Sequence, residues 1–367
     1  MATRIRLGGR RLWFQLHKWI ALLLLVLLIP IAVSGSMLVW DAWTDSLVNP
    51  QRYAVSESPA RLPVGRYVAA ARTVLKAGEN IASIELPAEP GTPIVVSAAT
   101  APSVEKARRG PPLRHQVWLD PASARVLDHA ASGGGLVRTL HVLHGSLMLP
   151  GIGRTIVGWL GVAMLILSLT GLWLWVPTAG RLLRGFRWSR GRGVSNNLHH
   201  QAGVWISLPL AILSFTGAWI SFPGLFEGRG GGGAPVGQFA PPLARPVNSP
   251  DAVMAAALRK APGDPTSLRW PTERDRTWTV TVQAKGERSV LAVDDRTGEA
   301  AIAPERTTRR GLMRVLHDGT GTGPIWQTII FVAGLAPAVL GITGVIMWLR
   351  SCGWRRQLRR RKAEARR

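Results

Sequence analysis

The chain has a single cysteine, Cys352, in 367 residues. That excludes a disulfide framework, a thiolate metal cage and a two-cysteine motif for covalent cofactor attachment. Acidic residues are also scarce, with 21 Asp and Glu against 45 Lys and Arg and a net charge of +24. No paired-carboxylate motif, HExxH helix or nucleophile elbow occurs, so hydrolysis is disfavoured and no catalytic side chain is assigned. The glycine run Arg229 to Gly233 has no Walker lysine. It reads as a linker, as do the Pro-rich segments Pro235 to Pro250 and Lys106 to Pro112. Flavin and nicotinamide fingerprints are missing too. Any redox cofactor must therefore be held by histidine.

Apolar sequence is abundant. Mean hydropathy is +0.13, and four runs, Trp19 to Trp40, Ile156 to Trp175, Val204 to Phe222 and Ile325 to Leu349, are each long enough to span a bilayer. Pro30, Pro209 and Pro337 interrupt three of them, which membrane helices tolerate when neighbours satisfy the freed carbonyls. Tryptophans including Trp13, Trp19, Trp40, Trp43, Trp175, Trp326, Trp348 and Trp354 gather near the ends, as interfacial anchors do. The first run is too long for the apolar part of a signal peptide and reads as an uncleaved anchor. The segments 1–18, 176–198 and 350–367 carry nineteen Lys and Arg against the single acid Glu364. The positive-inside rule places all three, and both termini, in the cytoplasm, leaving two long polar segments outside. A basic excess beside a membrane meets anionic lipid, and nucleic acid is not expected as a partner.

Histidine falls at matching places in two halves of the chain. His17 and His199 each stand eighteen residues before a glycine preceded by a small hydroxyl residue, Ser34-Gly35 and Thr216-Gly217. His144 and His317 each stand twenty-seven residues before a glycine that follows a threonine, Gly171 and Gly344. Ionisable residues in membrane segments are costly and mark function, so a repeated set points to one site built twice. Each half reads histidine, helix, soluble segment, histidine, helix. Each soluble segment has a helical stretch, Tyr67 to Arg72 or Asp251 to Ala257, followed by alternating strands. The strands are Ile81 to Leu86, Ile94 to Ser97 and Gln116 to Leu119 in the first, and Trp278 to Val282 and Ser289 to Val293 in the second. The turns Asp120-Pro121-Ala122-Ser123 and Asp294-Asp295-Arg296-Thr297-Gly298 lead into a further strand.

This plan resembles the PepSY-associated transmembrane family over nearly the whole chain. The residues that carry the resemblance are the helix-then-strand modules, the closing Val293-Asp294-Asp295-Arg296-Thr297-Gly298 turn, Leu-His near the helix starts and Thr-Gly near their ends. Two positions depart from the internal match: Ala21 stands where the second half has Gly203, and His141 where it has Arg314. The resemblance implies an inner-membrane, haem-containing ferric-siderophore reductase with b-type haem. The fold expected is membrane α-helical, with four transmembrane helices, a two-fold internal repeat and two small α+β PepSY-like extracytoplasmic modules. The expected division is a basic N-terminus over 1–18, the first helix over 19–43, the first module over 44–135, and an outer histidine segment with the second helix over 136–178. A basic loop over 179–198, the third helix over 199–223, the second module over 224–308, an outer histidine segment with the fourth helix over 309–349 and a basic tail over 350–367 complete it.

Two axial imidazoles hold a haem iron that passes electrons without rearrangement. We expect two b-type haems, an inner one on His17 and His199 and an outer one on His144 and His317. His200 is the alternative to His199, favoured less because His199 shares the register of His17. His141, one turn before His144, is a ligand, a hydrogen-bond partner or a substrate contact. Arg138, Arg154, Arg309, Arg310 and Arg314 gather near the outer histidines, suited to haem propionates or an anionic iron chelate. His115 and His129, without spaced partners, read as plain surface residues. Gly35, Gly171, Gly217 and Gly344 admit a flat macrocycle or a close neighbouring helix. The function expected is outward electron transfer from an unknown cytoplasmic donor to a ferric-siderophore, within membrane lipid. The alternative is a non-enzymatic PepSY-type protein that binds a peptide or regulates a protease. Haem or metal transport is weaker, since no repeated carboxylates cross the helices.

Overall fold

The computed structural model describes residues 2–56, 62–86, 91–99, 114–131, 134–176, 193–226, 240–284, 286–303 and 308–364. The glycine run 229–233, the start of the following Pro-rich segment (235–239), the linker 106–112 and the Arg-rich connection 181–192 lie outside the described residues.

In chain order, α1 (Ala2–Val39) and α2 (Asp41–Ser46) lead through a 3-10 turn (Pro50–Tyr53) to α3 (Val64–Arg72) and strands β1 (Asn80–Glu85), β2 (Ile94–Ala99), β3 (Arg114–Leu119) and β4 (Val126–Ala131). Helices α4 (Gly135–Ser146), α5 (Gly153–Trp175), α6 (Val194–Ser221) and α7 (Pro223–Phe226) follow. The second series is α8 (Pro250–Lys260), β5 (Asp264–Arg269), β6 (Thr277–Ala284), β7 (Glu287–Asp294), β8 (Ala300–Ile302), α9 (Arg309–Asp318) and α10 (Pro324–Glu364). The chain divides into two compact units. One comprises Met1–Asp41, Thr139–Gly231 and Thr308–Arg367, and the other Ala42–Arg138 and Gly232–Thr307.

In the helical unit, four helices among the described residues are long and apolar enough to cross a membrane. They cover Gly9–Val39, Gly153–Trp175, Val194–Ser221 and Pro324–Trp354. Each matches an expected run. Helix α1 packs on α5 and α10, and α6 packs on the same two, so the four close into a ring with α1 and α6 on opposite corners. Large apolar side chains stay in the open on the spans, with Leu23, Val26, Trp205 and Ile325 between 71% and 79% exposed. A surface of that kind suits hydrocarbon rather than water. Small residues let the helices approach: a Cβ on Gly161 of α5 would stand 3.2 Å from Ser214 O and 3.4 Å from the Ala218 Cβ of α6. Hydroxyls inside the unit return to their own helix, as Ser168 Oγ does to Met164 O and Ser214 Oγ to Leu210 O, so their burial leaves no bare donor. Ser36 Oγ instead also reaches Phe331 O of α10 at 3.0 Å.

Three boundaries differ from expectation. Helix α1 starts at Ala2 and ends at Val39 rather than covering 19–43, so the expected basic N-terminus is helical. Helix α6 starts at Val194 rather than 199, so His199 and His200 sit inside a helix and not at its first turn. Helix α10 runs on to Glu364, making the expected basic tail helical; its Arg, Lys, Gln, Ala and Glu are good helix formers with no proline to stop them.

The other unit is a sheet with helices α3 and α8 packed against it and against each other. Its core joins Tyr67, Val68 and Ala71 of α3, Val253, Met254 and Ala257 of α8, and strand residues such as Ile84, Val96, Val117, Leu268, Trp278 and Leu291. The two modules do not stand apart: their strands form one antiparallel eight-stranded sheet among the described residues, in the order β4-β3-β2-β1-β5-β6-β7-β8. The join is β1 to β5, pairing Ser83 with Arg269, Ile84 with Leu268 and Glu85 with Ser267. Each half-sheet alone would leave an unpaired edge there, and pairing removes both edges. Buried carboxylates tie each module's entry segment to a turn. Asp120 accepts from Ser56 N–H at 2.7 Å, and Asp295 accepts from Val247 N–H at 3.0 Å and Trp278 Nε1–H at 2.9 Å.

Candidate functional site

Each of the four spanning helices carries one copy of a five-residue pattern: Leu or Ile, two residues, Ser or Thr, then Gly. The copies are Ile31 to Gly35 on α1, Leu167 to Gly171 on α5, Leu213 to Gly217 on α6 and Leu340 to Gly344 on α10. On a helix the first, fourth and fifth positions of such a pattern share a face. Each copy receives one of the four histidines from another helix. His17 of α1 docks on α5, with Nδ1 2.9 Å from Thr170 Oγ1. His144 of α4 docks on α1, with Nδ1 2.8 Å from Ile31 O. His199 of α6 docks on α10, with Nδ1 3.0 Å from Leu340 O and 3.1 Å from Thr343 Oγ1. His317 of α9 docks on α6, with Nδ1 3.0 Å from Leu213 O and 3.1 Å from Thr216 Oγ1. The docking is reciprocal within each half of the chain.

The chemistry of these partners fixes the tautomer. A backbone carbonyl can only accept, so Nδ1 of His144, His199 and His317 carries the proton and Nε2 is left with its lone pair; at His17 the Thr170 hydroxyl already donates to Ile166 O, so it accepts from Nδ1–H with the same result. Among the described residues, none of the four Nε2 atoms has a hydrogen-bond partner, and each ring is only half-buried. The threonine hydroxyls complete the arrangement, each bonding carbonyls of its own helix, as Thr216 does with Ile212 O at 2.8 Å. At the α1 copy the hydroxyl bonds only its own helix and not the docked histidine, Ser34 Oγ donating to Pro30 O at 2.6 Å and Ile31 O at 3.1 Å.

Glycine in the fifth position makes room for the ring. A Cβ on Gly35 would lie 2.5 Å from His144 Cε1, and one on Gly217 would lie 3.0 Å from His317 Cε1. At Gly171 the distance to His17 Cε1 would be 3.3 Å, and at Gly344 to His199 Cε1 it would be 3.7 Å. The clearance is tight at His144 and His317 and ordinary at His199. These glycines were expected to admit a macrocycle or a neighbouring helix; what lies over them is an imidazole.

Across the two halves the histidines meet in pairs. The rings of His144 and His317 face each other with centroids 5.9 Å apart and planes inclined at 39°. His17 and His199 lie close enough to interact electrostatically. Eighteen residues separate His17 from Gly35, and His199 from Gly217. At the helical rise this is about 27 Å along the axis, close to the thickness of a bilayer core.

Among the remaining sequence candidates, His200 stands beside His199 with ring centroids 6.2 Å apart, but it is His199 that docks on α10. His141 is exposed and near enough to His144 to act on it electrostatically. Arg154, Arg310 and Arg314 form one cluster, close enough to influence one another, and the Arg154 guanidinium donates to Ile220 O. Arg310, Arg314 and His317 are spaced by four and three residues on α9 and so share a face. Arg309 is exposed on the same helix, and Arg138 is exposed in the sheet unit. Among the described residues no three or more His, Cys, Asp or Glu gather into a metal cage.

The plain-surface reading of His115 is corrected by the structure. It is only 8% exposed, with Nδ1 2.8 Å from Glu79 Oε2 and Nε2 3.2 Å from His129 Nδ1. Spacing missed this because the partners come from separate strands and a loop. The docking pattern was legible as four repeated Ser/Thr-Gly steps, but spacing linked each to the histidine of its own helix or segment, not to the one that crosses over.

A family model described as the PepSY-associated TM region matches residues 14–351, which include all four docked histidines and both soluble segments. No curated protein matches the chain.

Proposed function

The chain belongs to the PepSY-associated TM family, and from that premise we propose that it is a transmembrane dihaem electron-transfer protein that reduces ferric-siderophore at the outer face. Electrons come from a cytoplasmic donor, and each ferric ion takes one as it becomes ferrous and is released. The observation that carries the reading is the facing pair His144 and His317, at 5.9 Å between centroids. That separation leaves room between the rings for one iron bound by a nitrogen of each, so His144 and His317 are the residues that would hold the group. A pair of nitrogens cannot complete a coordination sphere, and no protein cage supplies the rest among the described residues. A porphyrin, with four nitrogens of its own, fits that deficit. Bound haem supplies the one-electron carrier, cycling between ferrous and ferric.

The chain's own residues do the rest. The carbonyls of Ile31 and Leu213 hold the Nδ1–H of His144 and His317 and so direct Nε2 toward the ligand position. The Thr170 hydroxyl and the Leu340 carbonyl do the same for His17 and His199, which would hold the inner haem. Arg154, Arg310 and Arg314 offer positive charge beside His317, suited to propionates or to an anionic ferric chelate. We read the halves as a duplicated unit, each closing its own pair of docks and giving one ligand to each haem. The joined sheet, whose strand order mirrors about the β1–β5 pair, is then two PepSY-like modules fused at their edges, lying on the periplasmic side of the inner membrane with both chain termini in the cytoplasm.

Purified protein reduced with dithionite and mixed with a ferric-siderophore tests this. The reading expects a Soret band, reoxidation of the haem and capture of ferrous ion by a colorimetric chelator. A preparation with no Soret band after haem is supplied overturns it, and leaves the binding or protease-regulating alternative.

A further inference from the structure

The sheet unit holds a second histidine pair that the electron-transfer reading does not use. His115 on β3 and His129 on β4 sit on adjacent antiparallel strands, where Val117 pairs with His129 and His115 with Ala131. They are therefore diagonal neighbours on one face of the sheet. The carboxylate of Glu79 accepts from His115 Nδ1–H at 2.8 Å, so Nε2 of His115 carries the lone pair. That Nε2 accepts from His129 Nδ1–H at 3.2 Å, with ring centroids 5.3 Å apart and planes inclined at 56°; an ion bound between the two nitrogens takes the place of that proton, which is released or moves to His129 Nε2.

We propose that His115 and His129 form a binding site for a divalent transition-metal ion, through His115 Nε2 and His129 Nδ1, with Glu79 as the residue that orients His115. Two nitrogens bound at about 2.0–2.1 Å to a tetrahedral ion stand roughly 3.3 Å apart, which the observed separation matches. A carboxylate on the far nitrogen of a ligating histidine is the usual support for such a ligand, fixing the tautomer and raising its basicity. His115 is buried and held, whereas His129 is exposed, so the remaining coordination positions open to water. Neighbouring Asp128 does not compete for the ion, being engaged by Arg52 at 2.6 Å and by the His129 N–H at 2.8 Å. Two imidazoles with no thiolate select zinc, copper, nickel or ferrous iron over calcium or magnesium.

The test is a calorimetric titration of the full-length protein in detergent with Zn²⁺, comparing wild type with His129→Ala and Glu79→Gln. The site predicts one zinc equivalent that His129→Ala abolishes and Glu79→Gln weakens by roughly ten- to a hundred-fold. Thermal unfolding keeps a folding defect distinct. His129 is exposed, so His129→Ala should melt with wild type in chelator, while Zn²⁺ raises the melting temperature of wild type alone. Equal zinc binding by wild type and His129→Ala overturns the proposal, as does no binding to wild type at millimolar zinc. Neither result touches the haem reading, whose histidines are unchanged in these variants.

Discussion

Histidine does different work in the two units. In the helical unit three of the four rings lean on a backbone carbonyl through Nδ1 and His17 leans on the Thr170 hydroxyl, with Nε2 left uncommitted among the described residues. In the sheet unit both nitrogens of His115 meet side chains, Glu79 on one side and His129 on the other. In the helical unit the anchor fixes a ring and leaves its second nitrogen open to a ligand; in the sheet unit that second nitrogen is held by a neighbouring imidazole until a metal ion takes the place of the shared proton. The units also differ in where their apolar side chains go. Trp278, Val280 and Leu291 of the sheet are fully buried, whereas Leu23, Val26 and Trp205 of the helices face outward. Removing side chains should therefore act on binding in one unit and on unfolding in the other.

The largest expected contrast lies among the docking glycines. Gly35→Ala places a methyl 2.5 Å from His144 Cε1, so the ring must leave its dock and the outer haem equivalent is lost. Gly344→Ala places one 3.7 Å from His199 Cε1, an ordinary contact, and should keep both equivalents. Absorbance of the two purified variants decides, and equal retention by both would break the docking account. Next comes Arg52, which pairs with Asp45 at 3.0 Å and Asp128 at 2.6 Å and lies 4.0 Å over the Trp118 ring. Arg52→Ala strands two partly buried carboxylates and should cost about 3 kcal/mol by denaturant unfolding. The haem-to-chain ratio should not change. If haem is lost along with stability, the units are not independent.

Acid should act on the sheet in a defined direction. Burial pushes Asp120, Asp128 and Glu79 up, but their hydrogen bonds outweigh it and hold all three below the usual carboxylate range. A depressed folded value means stability that is present above the unfolded pKa, about 3.9 for Asp and 4.3 for Glu, and lost as pH falls through the folded one. Unfolding midpoints should thus stay level near neutrality and fall below about pH 4. Asp128→Asn should flatten that fall. The smallest effect belongs to the dock hydroxyls. Thr216→Val removes one of two bonds to His317 and should weaken outer haem retention by about 1 kcal/mol, roughly five-fold. Ser34→Ala should do less, because Ser34 Oγ donates to its own helix. Competitive haem transfer to apo-myoglobin would measure both, and equal losses would remove the hydroxyl from the account.

Much of this architecture could be read from residues. Long apolar runs located all four spanning helices, and alternation located most strands, because both signals are local. Strand β5 escaped: Asp264-Pro265-Thr266-Ser267-Leu268-Arg269 lacks alternation, and Pro265 cannot donate to a ladder. With β5 missed, so was the join that makes one sheet of two modules. Of the histidine site, the residues and their repeat were legible but the crossing over was not. His17 docks on Gly171 and His144 on Gly35, contacts between helices that no spacing within one helix reveals. The Glu79–His115–His129 chain was hidden for the same reason, being assembled by strand register and a loop.

The central claim is that facing imidazoles from the two halves hold one haem at each level. The haem-to-chain ratio, measured by the pyridine haemochrome method on haem-supplied wild type and His317→Ala, tests it most directly. The account predicts two haems for wild type and one for the variant; no haem in wild type, or the same ratio in both proteins, would contradict it.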